Sequence, residues 1–227
     1  MKVCVACLAA ATLAVSWQTP AFGGQVFFSN LVQPGDQYGP DGLGIGHTPF
    51  YQPGATGEAT GATGFVASNT FRLTFIDIAL VYAEAFPSNG PNQADVFLMN
   101  DAGGLPGSTI ESWHVTNLPV NCGPCSLTSI ASSSNPILAG GSAYWVAATG
   151  GPETFDLWTF SLLGSNFAPL AVRNTLNGAD SGWSLSSPPN TRQGALQIVG
   201  EAIPEPGTWA LTVLALPGLI FRRQRLF

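Results

Sequence analysis

The sequence contains few charged residues and almost no lysine. Charged residues make up 9% of the 227 positions, and Lys2 is the only lysine. Nucleic acid is therefore an unsuitable partner, because phosphate binding requires clustered cations. The only two histidines, His47 and His114, are too far apart for a compact metal box, and no Gly-x-Ser-x-Gly elbow occurs. The chain thus lacks the sequence signatures of nucleic-acid binding, zinc hydrolysis and α/β-hydrolase chemistry.

Glycine, proline and apolar residues are abundant by contrast. The chain has 27 Gly and 18 Pro, and its hydrophobic content is 45%. This much glycine and proline is unsuitable for a helical bundle or coiled coil, and the apolar content is too high for a disordered chain. The length suits one domain with a real core.

The N-terminus has the three parts of a secretory signal peptide. Lys2 precedes an apolar run over residues 3–15, and small side chains follow at Ala21 and Gly23. This run is shorter than the roughly 20 residues that span a bilayer, so a retained anchor is the less favoured alternative. We expect signal peptidase to remove residues 1–23 by cleavage after Gly23, or after Ala21 as the second choice.

The C-terminal tail, residues 203–227, combines three features in a fixed order. It begins with an extended acidic motif made of Pro204, Glu205 and Pro206. Proline keeps this motif extended, because it lacks an amide proton and disfavours helical backbone before it. An apolar run over residues 209–221 follows and predicts a hydrophobic membrane helix. The tail then carries stop-transfer arginines, Arg222, Arg223 and Arg225.

This tail resembles the PEP-CTERM sorting signal found on exported proteins of Gram-negative bacteria that make exopolysaccharide. The resemblance implies that exosortase, a membrane transpeptidase, recognises the Pro-Glu-Pro motif of an inner-membrane intermediate and passes the protein to the cell surface or matrix. Pro217 interrupts the apolar run and Gln224 interrupts the arginines, but every part of the pattern is present. An ordinary C-terminal anchor is the alternative, and it leaves the Pro-Glu-Pro motif unexplained.

The region between the two signals, residues 24–202, is acidic. It contains 12 acids against three arginines, a net charge of −9. Such a surface repels phosphates and anionic lipid. The closest acidic pairs are Asp36 with Asp41 and Glu153 with Asp156, and neither has the dense spacing of a calcium loop. We expect no metal and no cofactor; a structural calcium ion is the alternative to a merely solvated acidic surface.

Short apolar segments, separated by turn-forming residues, predict the fold of this region. They cover residues 25–32, 64–69, 71–82, 94–100, 109–116, 143–149, 155–162, 182–186 and 195–199. Residues 71–82 alternate with a period of two, and the Gly-rich repeats at 54–64 predict a flexible loop. Eight or nine short strands without a helical stripe predict an all-β fold, an antiparallel β-sandwich of jelly-roll type.

One stretch carries a second resemblance. A strand, an Asp-x-Gly-x-x-Pro-Gly turn and another strand follow one another over residues 94–113, and Leu-Ala-Gly-Gly-Ser-Ala-Tyr-Trp-Val comes later at 138–146. This pattern is similar to the choice-of-anchor R domain of bacterial exported proteins, over roughly residues 65–199. That family has no established activity, so the resemblance implies a β-sandwich and no catalytic residues.

Cys122 and Cys125 form a Cys-Gly-Pro-Cys motif, which also occurs in thioredoxin active sites. The residues that follow, 126–136, are rich in serine and β-branched side chains and do not favour the helix that activates such a thiol. In an oxidising compartment we expect a structural disulfide. Redox activity and free thiols are the alternatives.

Tryptophans are the candidates for ligand binding, because exposed aromatic faces stack on sugar rings. Trp145 lies in a strongly apolar strand and is expected in the core. Trp158 and Trp183 lie near loops and are the candidates for exposure and glycan stacking. His114 is expected to be hydrogen-bonded or half-exposed rather than a catalytic base.

The sequence therefore predicts a non-enzymatic exported protein, processed at both ends and sorted to the cell surface or exopolysaccharide matrix. A carbohydrate-binding module for extracellular polysaccharide is the first alternative. An extracellular enzyme, either a thiol oxidoreductase or a hydrolase, is the second.

Overall fold

The structure is a computed structural model, and it describes residues 24–31, 38–47, 57–83, 90–120, 127–151, 153–161, 169–186 and 193–203. These residues form 14 β-strands and no helix, so none of them belongs to a helix that could cross a membrane. The strands are β1 (Gln25–Ser29), β2 (Tyr38–His47), β3 (Gly57–Val66), β4 (Phe71–Ile78), β5 (Leu80–Tyr82), β6 (Gln93–Asp101), β7 (Pro106–Thr116), β8 (Thr128–Ala131), β9 (Ile137–Leu138), β10 (Ala143–Gly150), β11 (Phe155–Ser161), β12 (Leu170–Leu176), β13 (Ala179–Leu185) and β14 (Leu196–Ala202).

The strands form two sheets in which every ladder between them is antiparallel. The smaller sheet has the order β1-β14-β4-β8, and β9 also pairs with β4. The larger sheet has the order β5-β11-β2-β3-β10-β6-β7, and the β12-β13 hairpin pairs with β3. The expected all-β, antiparallel class is confirmed.

Both sheets contribute to one shared core. Phe71 and Ile198 enter it from the smaller sheet, and Val96 and Val146 enter it from the larger sheet. All four side chains are fully buried. Burial of apolar surface on this scale is the main favourable contribution to folding.

The period-two segment at residues 71–82 is two strands rather than one. Ala79 separates β4 of the smaller sheet from β5 of the larger sheet. Its amide donates to the carbonyl of Ala195, and its own carbonyl accepts from the amide of Thr159. The chain crosses between the sheets here, with the backbone groups of the crossing residue satisfied on both sides.

The prediction of a flexible loop over the Gly-rich segment is wrong from Gly57 onward, because Gly57–Val66 forms β3. The small side chains allow close packing from both faces. A Cβ added at Gly61 would lie 2.1 Å from Cδ2 of Leu43, and one at Gly64 would lie 2.7 Å from Cγ of Pro169. Glycine in this strand marks close approach by neighbouring side chains.

Candidate binding face and buried carboxyls

The larger sheet has a face turned away from the shared core, which we call the outer face. Side chains alternate along β10, so Tyr144 and Val146 enter the shared core while Trp145 and Ala147 lie on the outer face. Two rows of residues in register cross this face over six strands. One row is Leu185, Ala171, Ala62, Ala147, Phe97 and Ser112. The next row is Trp183, Arg173, Thr60, Thr149, Asp95 and His114.

The centre of the outer face is apolar. Buried side chains form a second cluster there, consisting of Ala62, Met99, Trp145, Ala147 and Ala171. Partly buried Phe97, Leu105 and Trp183 pack against this cluster. The expected burial of Trp145 is confirmed, and its Nε1 donates to Oδ1 of Asp101 at 2.8 Å.

One side of the outer face carries an ion pair within the β12-β13 hairpin. Nε of Arg173 donates to Oδ1 of Asp180 at 2.9 Å, and a second bond joins Nη2 to Oδ2. The hydrogen bond from Arg173, together with one from the amide of Gly182, lowers the pKa of Asp180 to about 2. Both groups are charged at neutral pH, but their opposite charges cancel, so the pair has no net charge.

The other side carries a histidine–carboxylate pair. Nδ1 of His114 lies 2.7 Å from Oδ1 of Asp95, and the two side chains are 55% and 45% exposed. His114 is hydrogen-bonded and half-exposed, as expected. Among the described residues no hydrogen bond reaches its Nε2, and no serine or cysteine is bonded to the ring. Sequence reasoning did not identify Asp95 as its partner.

The two tryptophans proposed for glycan stacking occupy different environments. Trp158 is fully buried in the shared core, its Nε1 donates to the carbonyl of Ala195, and Gly194 leaves room for its ring. The expectation that it is exposed is wrong, because β11 is an interior strand whose Trp158 position faces the smaller sheet. Trp183 is partly exposed on the outer face. An exposed row of these two side chains does not exist.

Several expected features lie outside the described residues. They are the signal peptide at residues 1–23, the two cysteines Cys122 and Cys125, the motif Pro204, Glu205 and Pro206, and the arginines Arg222, Arg223 and Arg225. Within the described part of the chain, no group of three side chains suited to metal binding occurs.

Glu111 on β7 is a buried acid with a complete set of hydrogen bonds. Its Oε2 accepts from Oγ of Ser132 at 2.7 Å. Its Oε1 accepts from the amide and hydroxyl of Ser133 at 2.7 and 3.0 Å, and from the amide of Ser134 at 3.1 Å. Burial alone would raise the pKa of Glu111, but these donors outweigh it and lower the pKa to about 2. The carboxylate fixes the segment after β8 against the larger sheet.

Asp156 on β11 is a buried acid without such donors. It is fully buried, between Ile45 and Tyr82 in register, and neither carboxyl oxygen has a hydrogen-bond partner among the described residues. A Cβ added at Gly150 would lie 2.9 Å from its Oδ2, so the carboxyl packs against the β10-β11 turn. Burial raises the pKa of Asp156 to about 8. The group is therefore mostly protonated at neutral pH.

No protein-family profile and no curated protein matches this chain. Inferences about its function therefore rest on the geometry and sequence of the chain itself.

Proposed function

We propose that this chain is a non-enzymatic exported protein that exosortase-type processing of its tail directs to the cell surface or exopolysaccharide matrix. The observation that carries the proposal is the position of the Pro-Glu-Pro motif relative to the fold. The last strand ends at Ala202, and the amide of Ile203 still donates to the carbonyl of Thr70. Pro204 is the next residue, so cleavage at the motif would leave every described strand intact.

The expected N-terminal cleavage site also lies outside the described strands. Cleavage after Gly23 would remove no residue of β1, which begins at Gln25 and pairs with β14. Signal peptidase and exosortase are thus the expected processing partners. In this proposal residues 24–202 form a jelly-roll β-sandwich similar to the choice-of-anchor R domain, with a disulfide between Cys122 and Cys125 in the oxidising compartment.

The test is the substitution Glu205→Ala in the native host, with Glu201→Ala as the matched control. Both replace a carboxylate near the end of the fold, but Glu201 is an exposed residue of β14 outside the motif. We expect Glu205→Ala to accumulate as a longer form in the membrane fraction and Glu201→Ala to be processed normally. Normal processing and release of the Glu205→Ala variant would contradict the proposal.

A second candidate function is glycan binding by the outer face, and the position of Trp183 favours it. This ring is partly exposed and packs on the apolar cluster, and the polar side chains of Arg173 and Thr60 follow it in its row. Sugars present apolar ring faces together with hydroxyl groups, which suits an aromatic platform with flanking polar groups. The ion pair of Arg173 with Asp180 leaves no unpaired cation in this row, which favours a neutral glycan.

Affinity electrophoresis in gels containing the host exopolysaccharide tests this candidate. Trp183→Leu keeps an apolar side chain on the cluster but removes the aromatic ring, and Leu176→Ala alters an exposed side chain outside the two rows. We expect retardation by the polysaccharide to be lost in Trp183→Leu and kept in Leu176→Ala. Equal retardation of Trp183→Leu and the unaltered protein would exclude stacking on this ring.

A further inference from the structure

The described chain enters and leaves the fold at the same end. Gln25, near the start of β1, pairs with Gly200, near the end of β14. These strands are antiparallel neighbours, so β1 begins and β14 ends toward the same end of the smaller sheet. We call this end of the molecule the terminal end. It also includes the turns at residues 67–70, 102–105 and 139–142.

Hydrogen bonds and register place these turns together. The amide of Ala67 donates to the carbonyl of Ser142, and the amide of Gly140 donates to Oγ1 of Thr70, whose carbonyl accepts from Ile203. The turn at 102–105 follows β6, which reaches this end beside the start of β10, where Tyr144 pairs with Asn100. None of the three turns contains an acidic or basic residue.

Two large apolar side chains are exposed at the terminal end. Val66 is the last residue of β3, and Ile137 pairs with Arg72 near the start of β4. Each is 57% exposed, the largest fraction among the large apolar side chains of the described residues. An exposed apolar surface is the kind that contacts a partner or a membrane.

The two ends of the molecule also differ in their charged residues. At the terminal end, Glu201 lies in register with Arg72, and Asp101 accepts hydrogen bonds from Trp145 and the amide of Gly104. The exposed acids Glu58 and Glu153 lie at the other end, beside the start of β3 and the turn that follows β10. An anionic bilayer therefore repels the far end more strongly than the terminal end.

The sequence limits how far the terminal end can lie from the membrane while the tail is uncleaved. The apolar run begins at Trp209, six residues after Ile203. Six extended residues span at most about 20 Å. Neutral turns, exposed apolar side chains and a short tether thus coincide at one end.

We propose that the terminal end rests on the membrane surface while the tail is in the bilayer, with Val66 and Ile137 in contact with lipid. This orientation rests on the proposed function, because it requires the apolar run to anchor the chain. It holds the Pro-Glu-Pro motif between the fold and the bilayer, within reach of a membrane enzyme. The acids at the far end then point away from the lipid headgroups.

Site-specific photo-cross-linking in exosortase-deficient cells of the native host tests the orientation on the full chain. Benzoylphenylalanine replaces one residue at a time in two matched pairs with similar exposure at opposite ends. The pairs are Val66 with Leu176, and Ile137 with Val120. All four are exposed, so the replacements leave the core unchanged.

We expect several-fold more phospholipid cross-linking from positions 66 and 137 than from positions 176 and 120. Equal cross-linking within both pairs, in protein that fractionates with the membrane, would overturn the orientation and leave tail anchoring intact. Protein absent from the membrane fraction would overturn the anchoring itself, and the orientation with it. Fractionation and cross-linking thus separate failure of the inference from failure of the proposed function.

Discussion

Two buried carboxyl groups in different regions of this fold have opposite environments. Glu111 accepts four hydrogen bonds from residues 132–134, whereas Asp156 accepts none from the described residues. Burial acts on both groups in the same direction, yet their pKa values are about 2 and about 8. The comparison shows that hydrogen-bond donors, and not burial alone, decide whether a buried acid is charged at neutral pH.

The two groups give opposite contributions to stability as a function of pH. The pKa of Asp156 rises from 3.8 to about 8 on folding, so its contribution is complete below pH 4 and is lost as the pH rises to 8. The pKa of Glu111 falls from 4.5 to about 2, so its contribution is present above pH 4.5 and is lost as the pH falls to 2. Between pH 5 and 8, Asp156 alone of the two changes its contribution.

The largest expected effect is that of Asp156→Asn on this pH dependence. A difference of about 4 pKa units corresponds to about 5 kcal/mol of unfolding free energy, lost between pH 4 and pH 8 in the unaltered protein. Asparagine has nearly the same shape and does not titrate, so this loss should disappear. Urea unfolding at a series of pH values measures it.

The matched control for this experiment is Glu111→Gln, which should keep the decline between pH 5 and 8 because Asp156 is unchanged. A decline of the same size in Asp156→Asn would show that another group causes the pH dependence and that Asp156 does not titrate in this range, which would break the comparison.

Glu111→Gln has the second largest expected effect, at neutral pH. It replaces a charged acceptor of four hydrogen bonds with an amide that can accept at only one of its two end atoms. Loss of bonds to a buried charged group should lower the unfolding free energy by about 2 to 3 kcal/mol at pH 7. The difference from the unaltered protein should shrink as the pH approaches 2.

Glu201→Gln is the control for that substitution, since Glu201 is exposed on β14 and should change stability little. A stability loss in Glu111→Gln that stays constant down to pH 2 would mean that packing, and not charge, explains the effect.

Much of the fold follows from alternation in the sequence, but the sheet crossings and the Gly-rich strand do not. Residues 71–75 and 76–82 each alternate with a period of two and do not mark the crossing, whereas the hydrogen bonds of Ala79 to Thr159 and Ala195 show the change of sheet. The sequence of β3 shows no apolar alternation, because small residues occupy both of its faces. Ala62 lies on the outer face and Gly61 faces Leu43, and both are small because side chains from other strands pack closely against them. Such tertiary packing overrides local propensity.

The histidine–carboxylate pair of the outer face could not be predicted from the sequence for a different reason. A regular hairpin closed by Asp101 and Pro106 would place Asp95 opposite Ser112. Two register shifts, near Met99, move the ladder so that Asp95 pairs with His114 instead. Trp158 was misjudged because its nearness to a loop in sequence says nothing about which face of β11 the ring occupies.

The smallest expected effect is that of Ser133→Ala. This change removes one hydroxyl donor to Glu111, at 3.0 Å, and leaves the amide of Ser133 in place at 2.7 Å. We expect the unfolding free energy at pH 7 to fall by about 1 kcal/mol, as for loss of one hydrogen bond of a group that keeps its others. Two of the four donors are backbone amides, so no single serine substitution can turn Glu111 into an acid like Asp156. If Ser133→Ala lowered the unfolding free energy as much as Glu111→Gln does, the hydroxyl of Ser133 alone would account for the stabilisation by Glu111. The difference between Glu111 and Asp156 would then depend on a single hydrogen-bond donor.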